Sequence, residues 1–513
     1  MSESVPAPVR VRFAPSPTGY THLGSGRTAL YDYLVARQMG GKFILRIEDT
    51  DRKRYVPGSE DELMASLRWL GLQWDEGPDI GGPYGPYRQA ERAEIYREHA
   101  RRLIDRGNAY PCFCSAERLD VMRKEAQAHK LPTTYDGTCR RLDPLVSARR
   151  VAAGEKHVVR FRMPREGTIT VRDRVRGAIT VENRQLDDYI IVKSDGLALY
   201  HLAAMVDDHL MEITHVIRGS EWLPTFPLHA HIIRAFGWRE PEFVHLSVFL
   251  KPSGKGKMSK RESADLVKDG YSIFVKDLKD LGYTPEGVVN WIALMGWSLD
   301  DHTEFFTLAD LVKSFSLDRL NPSPAAINFT KLDHFNGVHI RALPEAELAR
   351  RLRPYLEGAG LVVDEARLLA VVPLIRERMV TLDDAITIGG FFFRDDVPAD
   401  GGALIAKKLS AAESATVAAR CLAILEGLPS VAHEVAEPPL RALVEELGLS
   451  PNQVFGILRV AVTGQSVSPP LFESMAIIGR ETVLARVRRA VALLEGVGGE
   501  AVNSNSGMSL SGK

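Results

Sequence analysis

Val9-Arg10-Val11-Arg12-Phe13-Ala14-Pro15-Ser16-Pro17-Thr18-Gly19-Tyr20-Thr21-His22-Leu23-Gly24 holds a strand, a loop and a helix start in sixteen residues. Val9 to Phe13 alternates apolar and charged side chains, as a strand does. Two prolines and a glycine then fix a loop. Ala29, Leu30, Tyr33 and Leu34 recur at helical spacing, Gly40-Gly41 stops that helix, and Phe43 to Ile47 returns as a second strand. This is a βαβ unit, whose strands run parallel with a right-handed crossover. In such sheets ligands bind beyond the carboxyl ends of the strands. Ala14 to Gly26 and Glu48 to Arg52 should therefore face one crevice, and both are rich in functional groups.

Working outward, residues 110 to about 195 break the helix-strand rhythm, with short strands expected at Val158 to Met163, Thr168 to Val171 and Ile190 to Lys193. We read an inserted domain there. From Leu199 to Phe236 strand and helix alternate again, which completes the first sheet. Beyond a Gly/Lys/Ser-rich loop, Lys251 to Ser263, the patterns turn helical, and from residue 340 they are helical nearly throughout. In the last helix Val483, Leu484, Val487, Val491 and Leu494 line one face, with Arg480, Arg486, Arg488 and Arg489 outside that stripe. Asp, Pro and Gly cluster at Asp395 to Gly402 and divide the helical part; residues 496–513 look like a disordered tail.

At 513 residues the chain needs several packing units. Its 65 Lys+Arg against 66 Asp+Glu, 45% hydrophobic and 26% charged residues are globular values, which exclude a mainly disordered chain. No apolar run approaches the roughly 18–20 residues that span a bilayer. The start of the chain resembles neither a signal nor a transit segment, so a cytoplasmic location is expected. Four cysteines make no disulfide scaffold, and Cys112, Cys114 and Cys139 have metal-ligand spacing instead. Arg140 to Arg184 holds twelve Lys/Arg and five acids, a local charge of +7.

Two segments carry chemistry. His22 and Gly24 sit at a helix start, where amide groups and the helix dipole favour phosphate. Lys257-Met258-Ser259-Lys260-Arg261, preceded by Ser253-Gly254-Lys255-Gly256, forms a cationic loop suited to a triphosphate. Either alone reads as a cap or an exposed basic loop. Together they resemble the two signatures of class I aminoacyl-tRNA synthetases. Arg12 to Gly19 (RFAPSPTG), Arg46 to Arg52 (RIEDTDR), Gly85 to Gln89 (GPYRQ), Tyr200 to Met211 (YHLAAMVDDHLM), Val216 to Trp222 (VIRGSEW) and Lys257 to Arg261 (KMSKR) narrow the resemblance to bacterial glutamyl-tRNA synthetases. Ser25 stands at the fourth position of the first signature, where other class I enzymes carry histidine.

The resemblance implies an α/β fold: a Rossmann-type parallel-sheet catalytic domain (1–100 and 199–252) with an inserted acceptor-arm-binding domain (101–198). A stem-contact domain with the lysine loop (253–338) and an all-α anticodon-binding region in two parts (339–396 and 397–495) follow. It implies activation of L-glutamate with ATP and Mg2+, then transfer to the 2′-hydroxyl of the terminal adenosine of tRNA(Glu). His22, Lys257 and Lys260 are the expected catalytic groups. Gly24, Glu221, Trp222, Met258 and Ser259 join them around ATP. Ser16 and Glu48 match the positions that hold the amino group of glutamate, and Arg12, Tyr200 and Arg218 those that hold its side chain. Ala204 replaces a polar residue that some relatives carry near the substrate. Arg378 aligns with an anticodon-reading position, and the +7 segment suits the acceptor arm.

A truncated relative that modifies a tRNA base lacks the helical region. Glutaminyl-tRNA synthetase has a β-barrel there. A catalytically inactive tRNA-binding protein could lose either signature, and both are intact; charging of tRNA(Gln) as well is left open. Cys112-x-Cys114, twenty-four residues, then Cys139 reproduces the zinc spacing of some relatives, but the fourth position holds Arg141, which cannot be a ligand. No zinc is expected, with His129 and His157 as the alternative fourth ligands. A monomer without membrane contact is expected.

Overall fold

A computed structural model describes residues 8–505 apart from 52, 259–265, 267, 269 and 399, with the side chains of 497–505 also left undescribed. Two units emerge, one of residues up to Asp280 with Val288–Leu332, the other of Leu281–Gly287 with the chain from Asp333 onward.

The first unit begins with the expected βαβ: β1 (Arg10–Phe13), α1 (Leu23–Gln38) and β2 (Lys42–Leu45), with β1 and β2 parallel and Val11 opposite Phe43. Ala29, Leu30 and Leu34 of α1 are buried. Then come α2 (Ser59–Trp69), α3 (Ala93–Asp105), β3 (Ala109–Cys112), α4 (Ala116–Ala128), α5 (Pro144–Ala152), β4 (Val158–Phe161), β5 (Thr168–Asp173), β6 (Gly177–Glu182) and β7 (Ile190–Val192). The second half-sheet follows as α6 (Tyr200–Leu210), β8 (His215–Gly219), α7 (Phe226–Phe236) and β9 (Glu242–Leu246).

The main sheet has the order β2-β1-β8-β9-β5-β6. Its first five strands are parallel and only the β5–β6 pair is antiparallel. The sequence reading assigns residues 168–182 to the inserted domain, but hydrogen bonding places that hairpin on the edge of the catalytic sheet. Alternation explains it: Ile169, Val171 and Asp173 are buried while Thr168, Thr170 and Arg172 face out. Such a half-buried strand needs a core to cover one face. The remaining strands of the segment form a separate sheet, β3-β4-β7.

The second unit is helical, with helices Glu345–Gly358, Glu365–Ile375, Ala411–Gly427, His433–Leu447, Pro451–Thr463, Leu471–Ile478 and Arg480–Asn505. One apolar cluster runs from Ile340 to Leu494 and includes Phe391, Phe392 and Val397. Phe393, Val397 and Leu404, at the Asp395–Gly402 stretch and on either side of it, belong to that one cluster. Val483, Leu484, Val487 and Leu494 are buried as their spacing predicts. The last helix continues to Asn505, so residues 496–505 are helical rather than a tail; residues 506–513 lie outside the described residues. Among those residues, no helix is long and apolar enough to cross a membrane.

Arg486 corrects the helical-face reading: it is buried, not outside the stripe. Its guanidinium donates to the carbonyls of Val462 (2.6 Å), Phe391 (2.9 Å) and Arg394. Gly390–Phe393 is a single short helical turn, and one arginine of the last helix receives the carbonyls of Phe391 and Arg394. Burial lowers its pKa to about 10. Arg486→Met should leave these carbonyls without donors at roughly 1–3 kcal/mol each. We expect a loss of about 3 kcal/mol in urea unfolding of the helical unit.

Candidate active site

Strand carboxyl ends build the site. Arg12 lies near the end of β1, Glu48 follows β2, Arg218 lies near the end of β8 and His245 near the end of β9. A cavity of about 1190 Å³ opens above them, lined by Arg12, Ser16, His22, Gly24, Glu48, Tyr200, Arg218, Glu221, Trp222, Lys257 and Met258. The structure thus brings together every expected catalytic, nucleotide-site and glutamate-site residue that it describes. Ser259 and Lys260 lie outside the described residues.

Beneath the cavity is a buried ionic network supplied by four of the sequence motifs. On α6, Asp208 accepts from Arg12 Nε (2.9 Å) and Arg46 Nη1 (2.7 Å). Its neighbour Asp207 accepts from Arg92 Nε (2.7 Å), Gln89 Nε2 (2.9 Å) and Tyr96 Oη (2.7 Å). Arg46, fully buried, also donates to Glu48 (3.0 Å). Asp207 and Asp208 are adjacent yet serve different partners because successive helical positions point about 100° apart.

The network gives Arg12 and Arg218, the two arginines expected at the glutamate side chain, different characters. Arg12 is already neutralised by Asp208. Arg218 forms no ion pair with a carboxylate among the described residues. Its Nε donates to His245 Nε2 (3.0 Å), one Nη to Tyr200 Oη (3.2 Å) and the other to His229 Nδ1 (3.1 Å). Of the five N–H groups of a guanidinium, two remain to hold an anion in a fork. Tyr200 stacks on Trp222 at 3.9 Å between ring centroids, which walls this side of the cavity. Glu48, buried near the opposite charge of Arg46, has its pKa raised by burial to about 7 despite that pair.

At the helix start His22 is the N-cap, and its Nδ1 accepts from the backbone N–H of Ser25 (3.2 Å). The ring proton is then on Nε2, 3.1 Å from Ser25 Oγ. Ser25 thus fits the signature by orienting His22. Gly24 has a structural reason beyond room for a base: a Cβ there would stand 2.9 Å from the His22 ring. A Cβ at Gly219 would run into the Glu221 carboxylate. Lys257 is exposed at the cavity edge, where Met258 N–H bonds Phe249 O (3.0 Å).

Sequence reasoning missed several groups. Lys193, Ser194 and Asp195, in the turn after β7, line the cavity, and Lys193 Nζ reaches Thr50 O (3.4 Å). No periodicity or spacing marks them. Asp207 and Asp208 lie within a quoted motif without an assigned role, and His229 and His245 lie outside the quoted motifs. The +7 count also overstates free charge. Acids outside the segment answer part of it: Arg140 and Arg165 pair with Asp188, and Arg174 with Asp318. Arg378 is exposed in the helical unit, in a single turn after helix Glu365–Ile375.

The cysteines do meet. The three sulfurs lie within 4.8 Å of one another, Cys114 and Cys139 at 3.5 Å. Arg141 instead donates to Asp136 O (2.9 Å) and is not at the cluster. The fourth neighbour is the Tyr135 hydroxyl, 3.5 Å from Cys112 Sγ, 3.4 Å from Cys114 Sγ and accepting the Cys139 N–H at 2.8 Å.

Comparison with known proteins gives the family. Residues 8–334 match the family described as tRNA synthetases class I (E and Q), catalytic domain, and residues 347–491 match an anticodon binding domain. The chain belongs to the class I tRNA synthetases of the glutamate and glutamine type. Its relatives include a glutamate–tRNA ligase of Roseiflexus castenholzii, 47% identical over 96% of this chain and 97% of that one. Another, from Dehalococcoides mccartyi, is 45% identical over 95% and 98%. The crystal structure of a glutamate tRNA ligase from Elizabethkingia meningosepticum in complex with its amino acid superposes with a TM-score of 0.87. It is 36% identical and is covered over 95% of this chain and 99% of that one.

Removing one carboxylate tests the network. Asp208→Asn leaves Arg12 and Arg46 buried with less counter-charge, and breaking such a pair costs about 3–5 kcal/mol. Urea denaturation should register that loss in the catalytic unit.

Proposed function

We propose that the chain is a glutamate–tRNA ligase that activates L-glutamate with ATP and esterifies the terminal adenosine of tRNA(Glu). One observation carries the reading: a buried arginine with two N–H groups and an uncompensated charge faces the same cavity as a buried carboxylate. An amino acid with a second carboxylate completes both. Arg218 and Tyr200 hold the γ-carboxylate, and Glu48 with Ser16 the ammonium; Arg12 shapes the pocket and holds Asp208.

The α-carboxylate is the nucleophile. Its oxygen bonds to the α-phosphorus of ATP as the bond to pyrophosphate breaks, and the 2′-hydroxyl of the tRNA later displaces AMP from the acyl carbon. No covalent enzyme intermediate is required. His22 Nε2–H, with Lys257 and Lys260, stabilises charge on the phosphates, a role of position and electrostatics. Gly24, Glu221, Trp222, Met258 and Ser259 complete the nucleotide site. Mg2+ neutralises triphosphate charge when bound. The exposed arginines and Lys156 of the inserted segment touch the acceptor arm, and Arg378 the anticodon. The proposal includes action as a monomer in the cytoplasm. ATP–pyrophosphate exchange should require glutamate and tRNA(Glu); exchange with glutamine alone would overturn it.

Glu48 predicts a pH dependence. It must be ionised to pair with the ammonium group, and burial puts its pKa near 7. As pH falls below about 7, binding has to expel a proton from Glu48, so KM for glutamate should rise about tenfold per pH unit. Steady-state exchange from pH 8 to 5.5 checks this, with Glu48→Gln expected to flatten the profile.

The cysteine cluster fits zinc. The reason for expecting none was Arg141, and Tyr135 stands in its place. Three thiolates and a phenol oxygen make a four-donor set, which would brace the inserted segment. Metal analysis should find close to one zinc per chain, and Cys139→Ser should lose it together with several degrees of thermal stability.

A further inference from the structure

Arg218 sits in a chain of side chains that crosses the floor of the cavity. From β5, Asp173 Oδ2 accepts from His245 Nδ1 at 2.7 Å and from the His245 backbone N–H at 3.0 Å. His245 Nε2 accepts from Arg218 Nε, and on the other side His229 Nδ1 accepts from an Arg218 Nη. His229 Nε2 then meets His201 Nδ1 at 2.9 Å. Because a guanidinium only donates, each histidine must present a bare nitrogen to it. The tautomers follow: His245 carries its proton on Nδ1, toward Asp173, and His229 on Nε2, toward His201. Both rings are neutral, in keeping with burial and the charge of Arg218, which lower both pKa values.

Among the described residues no carboxylate pairs with Arg218. His229 and His245 are fully buried and Asp173 nearly so. The rings of Phe226 and Phe243 lie below the guanidinium at 5.9 and 5.2 Å. Tyr200, a neutral phenol, takes another N–H. Asp173 is one imidazole away, and its second oxygen is taken by the N–H groups of Val175 and Arg176. Carboxylates at either histidine position would orient the fork equally well but would neutralise it.

We propose that His229 and His245 are positioning residues that set the preference for a side-chain carboxylate: as neutral acceptors they aim the Arg218 fork and leave its charge unbalanced toward the cavity. This rests on the glutamate-ligase reading. A neutral amide such as glutamine offers one acceptor and no charge, so it gains from the orientation but not from the imbalance. Discrimination is then a property of what surrounds the arginine as much as of the arginine.

Charge and shape separate in two pairs of variants. Asn places an oxygen where His229 Nδ1 lies, and Asp adds only a charge; Gln and Glu do the same for Nε2 of His245. In tRNA-dependent ATP–pyrophosphate exchange, His229→Asn should raise KM for glutamate no more than about threefold. His229→Asp should raise it tenfold or more, the scale of a lost charge-assisted pair. KM for ATP should stay within about twofold. The glutamate-over-glutamine ratio of kcat/KM should fall with the acid variant alone. His245→Gln and His245→Glu should behave in parallel. Equal KM values within a pair, or an acid variant that keeps the parent's discrimination, would overturn the proposal. Should both acid variants fail to fold, His229→Leu against His229→Asn decides on the same reading, equal KM values counting against it. A parent protein that gives no glutamate-dependent exchange would instead refute the function.

Discussion

The pair of adjacent aspartates on α6, Asp207 and Asp208, is the constraint on which the catalytic unit depends. Together they receive Arg12 from β1, Arg46 from beyond β2, Gln89 and Arg92 from the segment that leads into α3, and Tyr96 from α3 itself. Charges out of water are costly, and they persist only where geometry and hydrogen bonds repay desolvation. Their value here is positional. The two halves of the sheet, separated by about a hundred residues of insertion, are locked in one register by a helix that belongs to the second half and partners that belong to the first.

From that lock follows the asymmetry of the cavity. Asp208 cancels Arg12, so the positive end of the site is Arg218, whose partners are a phenol and two imidazoles. A cation surrounded by neutral acceptors in a buried place is poised for an anion, because the protein has already borne the desolvation. At the other end Glu48, raised by burial, is equally incomplete. The site is complementary to an amino acid with charges at both ends.

The inserted segment contributes more to the catalytic unit than its local charge indicates. The β5–β6 hairpin extends the main sheet and brings Asp173 to His245. Several of its arginines answer acids of the same unit, with Asp188 collecting two of them and the Tyr110 hydroxyl. Charge counted along a sequence is an upper bound on the charge that reaches solvent, since counter-ions come from elsewhere in the fold.

Local sequence determined the βαβ start, the return of strand and helix after Leu199 and the helical character beyond residue 340. Each depends on periodicity and stop signals within some fifteen residues. Arg12, His22, Glu48, Tyr200, Arg218 and Lys257, joined at the level of sequence by a family resemblance, line one cavity. Tertiary structure alone decided the rest, and for one reason: the partner that defines the role lies far along the chain. Arg486 reads as a solvent-facing arginine until the carbonyls of Phe391 and Arg394 are brought to it. Tyr135 reads as an ordinary tyrosine until three thiols surround it. Arg12 and Arg218 look equivalent as residues, and only the placement of Asp208 beside one and His229 and His245 beside the other makes them different cations.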